Sequence, residues 1–235
     1  MKLLLTSNGV TNPTIHEALV GLLGKPVAQS SALFVATGMH PFPGGGGGAM
    51  DAIRGSRSGR LCDLGWGSLG LLELTALTSI RPDSWIPVLE ETDALLVWGG
   101  DVLYLHHWMR RSGLADLLPS LEHLVYVGVS AGSIVMTPHN CDAESNLEWV
   151  PPDSDMALGP ETALGLVDFG LYVHLDNPDP IFVDHSLANI ARVAAELPIA
   201  SYALDDESAV RVSDGTVDVV SEGHWRLFTP DGDGT

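Results

Sequence analysis

Short apolar runs alternate along this chain with segments whose apolar residues recur at helical spacing, and the alternation begins at the first residues. Leu3 to Thr6 reads as a strand and Asn8-Gly9 as a turn. Thr14, with Glu17 three residues later, has the form of a capping box for a helix ending near Gly24. Further strands are expected at Leu33 to Thr37, Leu71 to Leu77, Ala94 to Trp98, Leu124 to Val129 and about Leu166 to Val173, with helical patterns between them. A βαβα order with near-continuous apolar strands is the signature of a parallel sheet covered by helices on both faces. Asp205 closes another apolar run, and Ala209 to Val212 with Thr216 to Val220 reads as a β-hairpin across Asp214-Gly215. Residues 1–229 are expected to form one α/β domain and 230–235 a disordered tail.

The segment Met39-His40-Pro41-Phe42-Pro43 followed by Gly44 to Gly48 predicts a mobile loop, because proline and glycine break both regular ladders. It lacks the GKS or GKT ending of a phosphate cradle, so a flexible rim or lid is the expectation. Composition adds exclusions. The 235 residues, 45% hydrophobic, suffice for one sizeable core, and the opening Met1-Lys2-Leu3-Leu4-Leu5 is too short for the apolar region of a signal peptide. No apolar run reaches the length of a membrane span. With 11 basic against 30 acidic residues the formal charge is -19, which repels phosphate backbones and anionic bilayers, so neither nucleic acid nor membrane is an expected partner. Lysine occurs only at positions 2 and 25, so a habitat or genome bias explains the acidity equally well. Cys62 and Cys141 have no metal-ligand or disulfide-framework spacing, which points to a reducing, cytoplasmic compartment and to no metal site.

The chemistry-bearing segment is Leu124-Val125-Tyr126-Val127-Gly128-Val129-Ser130-Ala131-Gly132-Ser133, an apolar strand running into GxSxG and then a helical stretch. With 26 glycines in the chain the bare pattern is weak, and its placement between strand and helix favours a nucleophile elbow over a structural turn. Trp98-Gly99-Gly100-Asp101 ends another buried strand before a helix. Its amides either form an oxyanion hole together with that of Ala131 or simply make a tight turn. Of nine histidines, His174 is the one at the carboxyl end of an expected strand, where ligands bind in open parallel sheets.

These three segments, with Ala163-Leu164-Gly165-Leu166-Val167-Asp168 leading to His174-Leu175-Asp176, resemble the signature segments of the peptidase E family of serine peptidases, which includes aspartyl dipeptidases. The resemblance implies a three-layer α/β sandwich with a mostly parallel central sheet of the class I glutamine amidotransferase-like, flavodoxin-like type. It implies Ser130 as nucleophile, His174 as general base, and Gly100, its neighbour Gly99 and Ala131 as oxyanion donors. The acid of the triad falls in the loop after the elbow helix at Glu144 or Asp142, and Glu144 is preferred for its longer reach. Two departures bear on specificity. Asp101 replaces the family's asparagine at a candidate substrate contact, and the arginine that would hold a substrate aspartate has only Arg192 as a candidate, in an apparent amphipathic helix. The implied function is a serine-type dipeptidase or exopeptidase acting on short peptides without metal or organic cofactor, as a monomer or homodimer. An esterase using the same triad, and an inactive binding module on the same fold, are the alternatives.

Overall fold

The computed structural model describes residues 1–55, 60–142, 145–159, 161–230 and 232–234, the last three as backbone. Its strands are β1 (Lys2–Thr6), β2 (Ser31–Val35), β3 (Ser68–Leu71), β4 (Ala94–Val97), β5 (Val125–Val129), β6 (Gly170–Tyr172), β7 (Ser201–Leu204), β8 (Ser208–Ser213), β9 (Thr216–Ser221), β10 (Trp225–Thr229) and β11 (Gly232–Gly234). The helices are α1 (Pro13–Leu23), α2 (Gly45–Ile53), α3 (Leu74–Leu77), α4 (Ile86–Glu90), α5 (Val102–Arg111), α6 (Leu114–Leu117), α7 (Ala131–Ile134) and α8 (Leu187–Ala194).

The central sheet has the order β3-β2-β4-β5-β1-β8-β9, parallel from β3 to β1 and antiparallel at β8 and β9. Side chains of a strand alternate between faces, so an unbroken apolar strand needs cover on both. Leu3, Leu5, Leu95, Val97 and Tyr126 pack under α5 and α7, whereas Leu4, Phe34, Leu96 and Val127 pack with Ile15 and Leu19 of α1 and Ala49 and Ala52 of α2. Each fully buried leucine contributes roughly 1.5–3 kcal/mol, so the two faces together make the sandwich. This is the α/β sandwich with a mostly parallel central sheet expected above, with the hairpin β8-β9 on its edge. Asp214 and Gly215 both have positive φ, 51° and 76°, as a two-residue hairpin turn demands. A second sheet, β11-β10-β7-β6, carries β6 parallel to β7. Among the described residues no helix is long and apolar enough to cross a membrane.

Several local expectations are corrected. The glycine run is not a loop: α2 starts at Gly45, where a Cβ would lie 1.8 Å from the Met39 carbonyl oxygen, so the glycine admits a backbone approach no other residue allows. The apolar run from residue 71 to 77 divides into the end of β3 and α3, whose first turn is capped by Glu73 accepting from the Thr75 amide. The cap of α1 is Asn12, accepting from Ile15 N with Pro13 in the first turn, while Thr14 bonds Glu222 across the fold. In place of an entirely disordered tail, the backbone of β11 pairs with β10.

Candidate active site

The carboxyl ends of β4, β5 and β1, three neighbours in the sheet, bring together Gly99, Ser130 and Ser7. Ser130 has φ 52° and ψ −118°, a conformation that costs a non-glycine residue about 1–3 kcal/mol and persists only where its surroundings enforce it. The enforcement is visible: the Ser130 amide donates to the carbonyls of Thr6 and Ser7, at 3.2 and 3.1 Å. The Ser133 hydroxyl donates to the Thr6 carbonyl at 2.8 Å. Both glycines of the motif are required by close approach. A Cβ on Gly128 would lie 2.5 Å from the Gly132 oxygen, and one on Gly132 would lie 2.1 Å from the Val97 oxygen. Gly132→Ala is therefore expected to lower stability by about 1–3 kcal/mol or more, read as a lower denaturation midpoint, because backbone rather than a flexible side chain must give way.

The imidazole arrives from the second sheet. His174 lies two residues past β6 with φ 56°, its amide donating to Ser7 Oγ at 2.8 Å and its ring stacked on Phe182 with centroids 4.1 Å apart. Its Nε2 stands 3.0 Å from Ser130 Oγ. Its Nδ1 stands 2.7 Å from Oδ1 of Asp206, two residues past β7. Asp206 also accepts from Ser7 Oγ at 2.9 Å and from Asn177 Nδ2 at 2.6 Å. Burial alone would raise the Asp206 carboxyl. The hydrogen bonds from His174, Ser7 and Asn177 and the His174 charge outweigh it, leaving the carboxyl below its ordinary 3.8 and ionised at neutral pH. A serine, a histidine and a carboxylate thus stand in hydrogen-bonded sequence.

Residues 45–220 match the model of peptidase family S51. The chain belongs to peptidase family S51. Its fold resembles that of a candidate peptidase E protein from Listeria monocytogenes EGD-e, with TM-score 0.65 and 18% identity over 94% of this chain and 98% of that one. It also resembles a peptidase from an acI-B1 actinobacterium, with TM-score 0.64 and 15% identity over 97% of this chain and 91% of that one. No curated protein matches the chain.

In this family member, the acid on the imidazole differs from the one expected. Asp206 occupies His174 Nδ1, which has a single hydrogen to donate, in place of Asp142. Glu144 lies outside the described residues. Asp142 lines the cleft, its amide on Asn140 Oδ1 and its carboxylate 3.4 Å from Ser145 Oγ. The signal that could have found Asp206 was the one that found His174, a polar residue just past the end of an apolar strand. Asp101 is also corrected: its side chain is buried, capping α5 at Tyr104 N with one oxygen and accepting Asn146 N with the other, at 2.6 and 2.7 Å. Burial raises its carboxyl, and nothing of it faces the cleft. Arg192 bonds Asn189 and Glu196 on the exposed side of α8.

Gly99 and Gly100 do line the cleft beside Ser130, and Gly100 has φ 129° with its α-carbon against Gly38. Among the described residues no hydrogen bond takes the amides of Gly100 or of Ala131, the first residue of α7. The cleft measures about 500 Å³. Its apolar walls include Met39, Phe42, Trp98, Ile181 and Phe182, and its charged ones Asp142 and Asp179 beside Asp206. No lysine or arginine lines it among the described residues. Burial pushes the Cys62 and Cys141 thiols to about 12 and about 11, which removes both as thiolate nucleophiles at neutral pH.

Proposed function

We propose that this chain is a serine peptidase that hydrolyses short peptides through an acyl-enzyme on Ser130, with His174 as general base and Asp206 as the acid that orients it. The reading is carried by the linked distances of 3.0 Å from Ser130 Oγ to His174 Nε2 and 2.7 Å from His174 Nδ1 to Asp206 Oδ1. An ionised Asp206 accepts a hydrogen bond from Nδ1–H, which stays on the imidazole and leaves Nε2 as the basic nitrogen. His174 takes the hydroxyl proton as Oγ adds to the scissile carbonyl, and the developing oxyanion meets the Gly100 and Ala131 amides. The same proton passes to the leaving amine as the C–N bond breaks. Water, deprotonated by His174, then releases the acyl group and restores the serine.

Preference for an N-terminal aspartate has little support in a cleft whose described charged walls are carboxylates. Asp142 and Asp179 instead suit the free α-ammonium of a peptide, which favours an exopeptidase or dipeptidase. A fluorophosphonate probe is expected to add once, at Ser130, by intact mass. On a dipeptide panel, acetylating the substrate's amino group should lower kcat/KM by about five- to thirty-fold, the equivalent of one or two kcal/mol. Equal cleavage of blocked and free peptides would remove the exopeptidase reading, and a chain that resists labelling would remove the acyl-enzyme.

A further inference from the structure

Ser7 touches every member of the triad, although it lies far from all of them in sequence. It follows β1 directly and is fully buried. Its hydroxyl stands 2.9 Å from Asp206 Oδ1 and 2.8 Å from the His174 amide, and its carbonyl accepts from the Ser130 amide at 3.1 Å. The polarity of these bonds has one solution. A carboxylate only accepts, so the Ser7 proton goes to Asp206, and the hydroxyl oxygen takes the His174 N–H with a lone pair. Ser7 N donates to Ser208 O at 3.3 Å, which anchors the residue to β8.

We propose that Ser7 is a positioning residue of the catalytic apparatus, holding the Asp206 carboxylate and the His174 backbone in register with Ser130. The inference rests on the serine-peptidase reading above. Asp206 Oδ1 receives two donors, Ser7 Oγ–H and His174 Nδ1–H, and the first fixes the rotation of the carboxylate that the second needs. The His174 backbone sits in the left-handed region, where a side-chain acceptor for its amide holds the ring toward Oγ. Because β1 and β5 pair in parallel, one residue past the end of β1 lies beside the elbow past the end of β5, and the Thr6 carbonyl shares the Ser130 amide with that of Ser7.

The test is a double-mutant cycle with Asp206. Ser7→Ala in the wild-type background is expected to lower kcat by about 10- to 100-fold with KM within about twofold, as befits a charge-assisted hydrogen bond that acts on geometry rather than on substrate binding. In an Asp206→Ala background the same change is expected to cost less than about threefold, because its target is gone. Folded protein is counted by the amplitude of thermal unfolding, so that loss of folded protein is not read as loss of rate. Ser7→Cys, nearly isosteric and a weak donor, carries the same cycle if the alanine variant does not fold. A Ser7→Ala kcat within twofold of wild type, or an equal loss in both backgrounds, overturns the role of Ser7 alone. A wild-type protein that the fluorophosphonate probe does not label overturns the peptidase reading and this inference with it.

Discussion

Ser130→Ala is expected to lower kcat/KM by at least about 10⁴-fold on any peptide that the wild-type chain cleaves, with its unfolding midpoint nearly unchanged. On the proposed mechanism, removing Oγ removes the atom that forms the acyl bond. What remains is an imidazole with nothing to deprotonate and two amides with no oxyanion to stabilise. The fold should tolerate the change, since the side chain opens onto the cleft while the Thr6 and Ser7 carbonyls hold the backbone amide of any residue there. Steady-state hydrolysis beside thermal unfolding checks both halves. Turnover preserved in a folded alanine variant ends the serine-peptidase proposal.

Asp206→Asn carries the second largest expected effect, a loss of roughly 10⁴-fold in kcat. The amide presents an N–H where the carboxylate accepted one, which turns the imidazole to the tautomer with its proton on Nε2, facing Ser130. Asp142→Asn should change kcat by less than about tenfold, because Nδ1 is already taken. Comparable losses in the two variants would refute Asp206 as the orienting acid. The same residue predicts an acid limb in stability. With its folded value lowered, Asp206 stabilises the native chain above its ordinary 3.8, and that contribution disappears as pH drops through the folded value. The stability gap between wild type and Asp206→Asn should therefore close as solutions are acidified below 3.8, which denaturant titrations at several pH values can measure.

Legibility followed the range of the interactions involved. Strands β1, β4 and β5 were readable because both of their faces are buried, which leaves an uninterrupted apolar run in sequence. The elbow was readable because its chemistry and its geometry lie within five residues: Gly128 and Gly132 are glycine for contacts with Gly132 and Val97 that any strand-turn-helix of this kind imposes. The helix through Gly45 was illegible, since glycine opposes helix locally and only the nearby Met39 carbonyl explains the choice. Asp101 misled for a related reason. Next to a glycine pair it reads as a cleft residue, whereas its carboxylate serves two amides, one of them 45 residues away.

By itself, the amino-acid pattern determined the sandwich, the elbow at Ser130 and the strand end at which the imidazole sits. These depend on periodicity and on neighbours along the chain. Which carboxylate reaches that imidazole, and which hydroxyl holds both, was decided only by the pairing of β1 with β5 and of β6 with β7. Those pairings bring positions 7, 130, 174 and 206 within hydrogen-bond reach. Hydrogen bonds act over about 3 Å and leave no periodic trace in a sequence, so only the folded chain could reveal them.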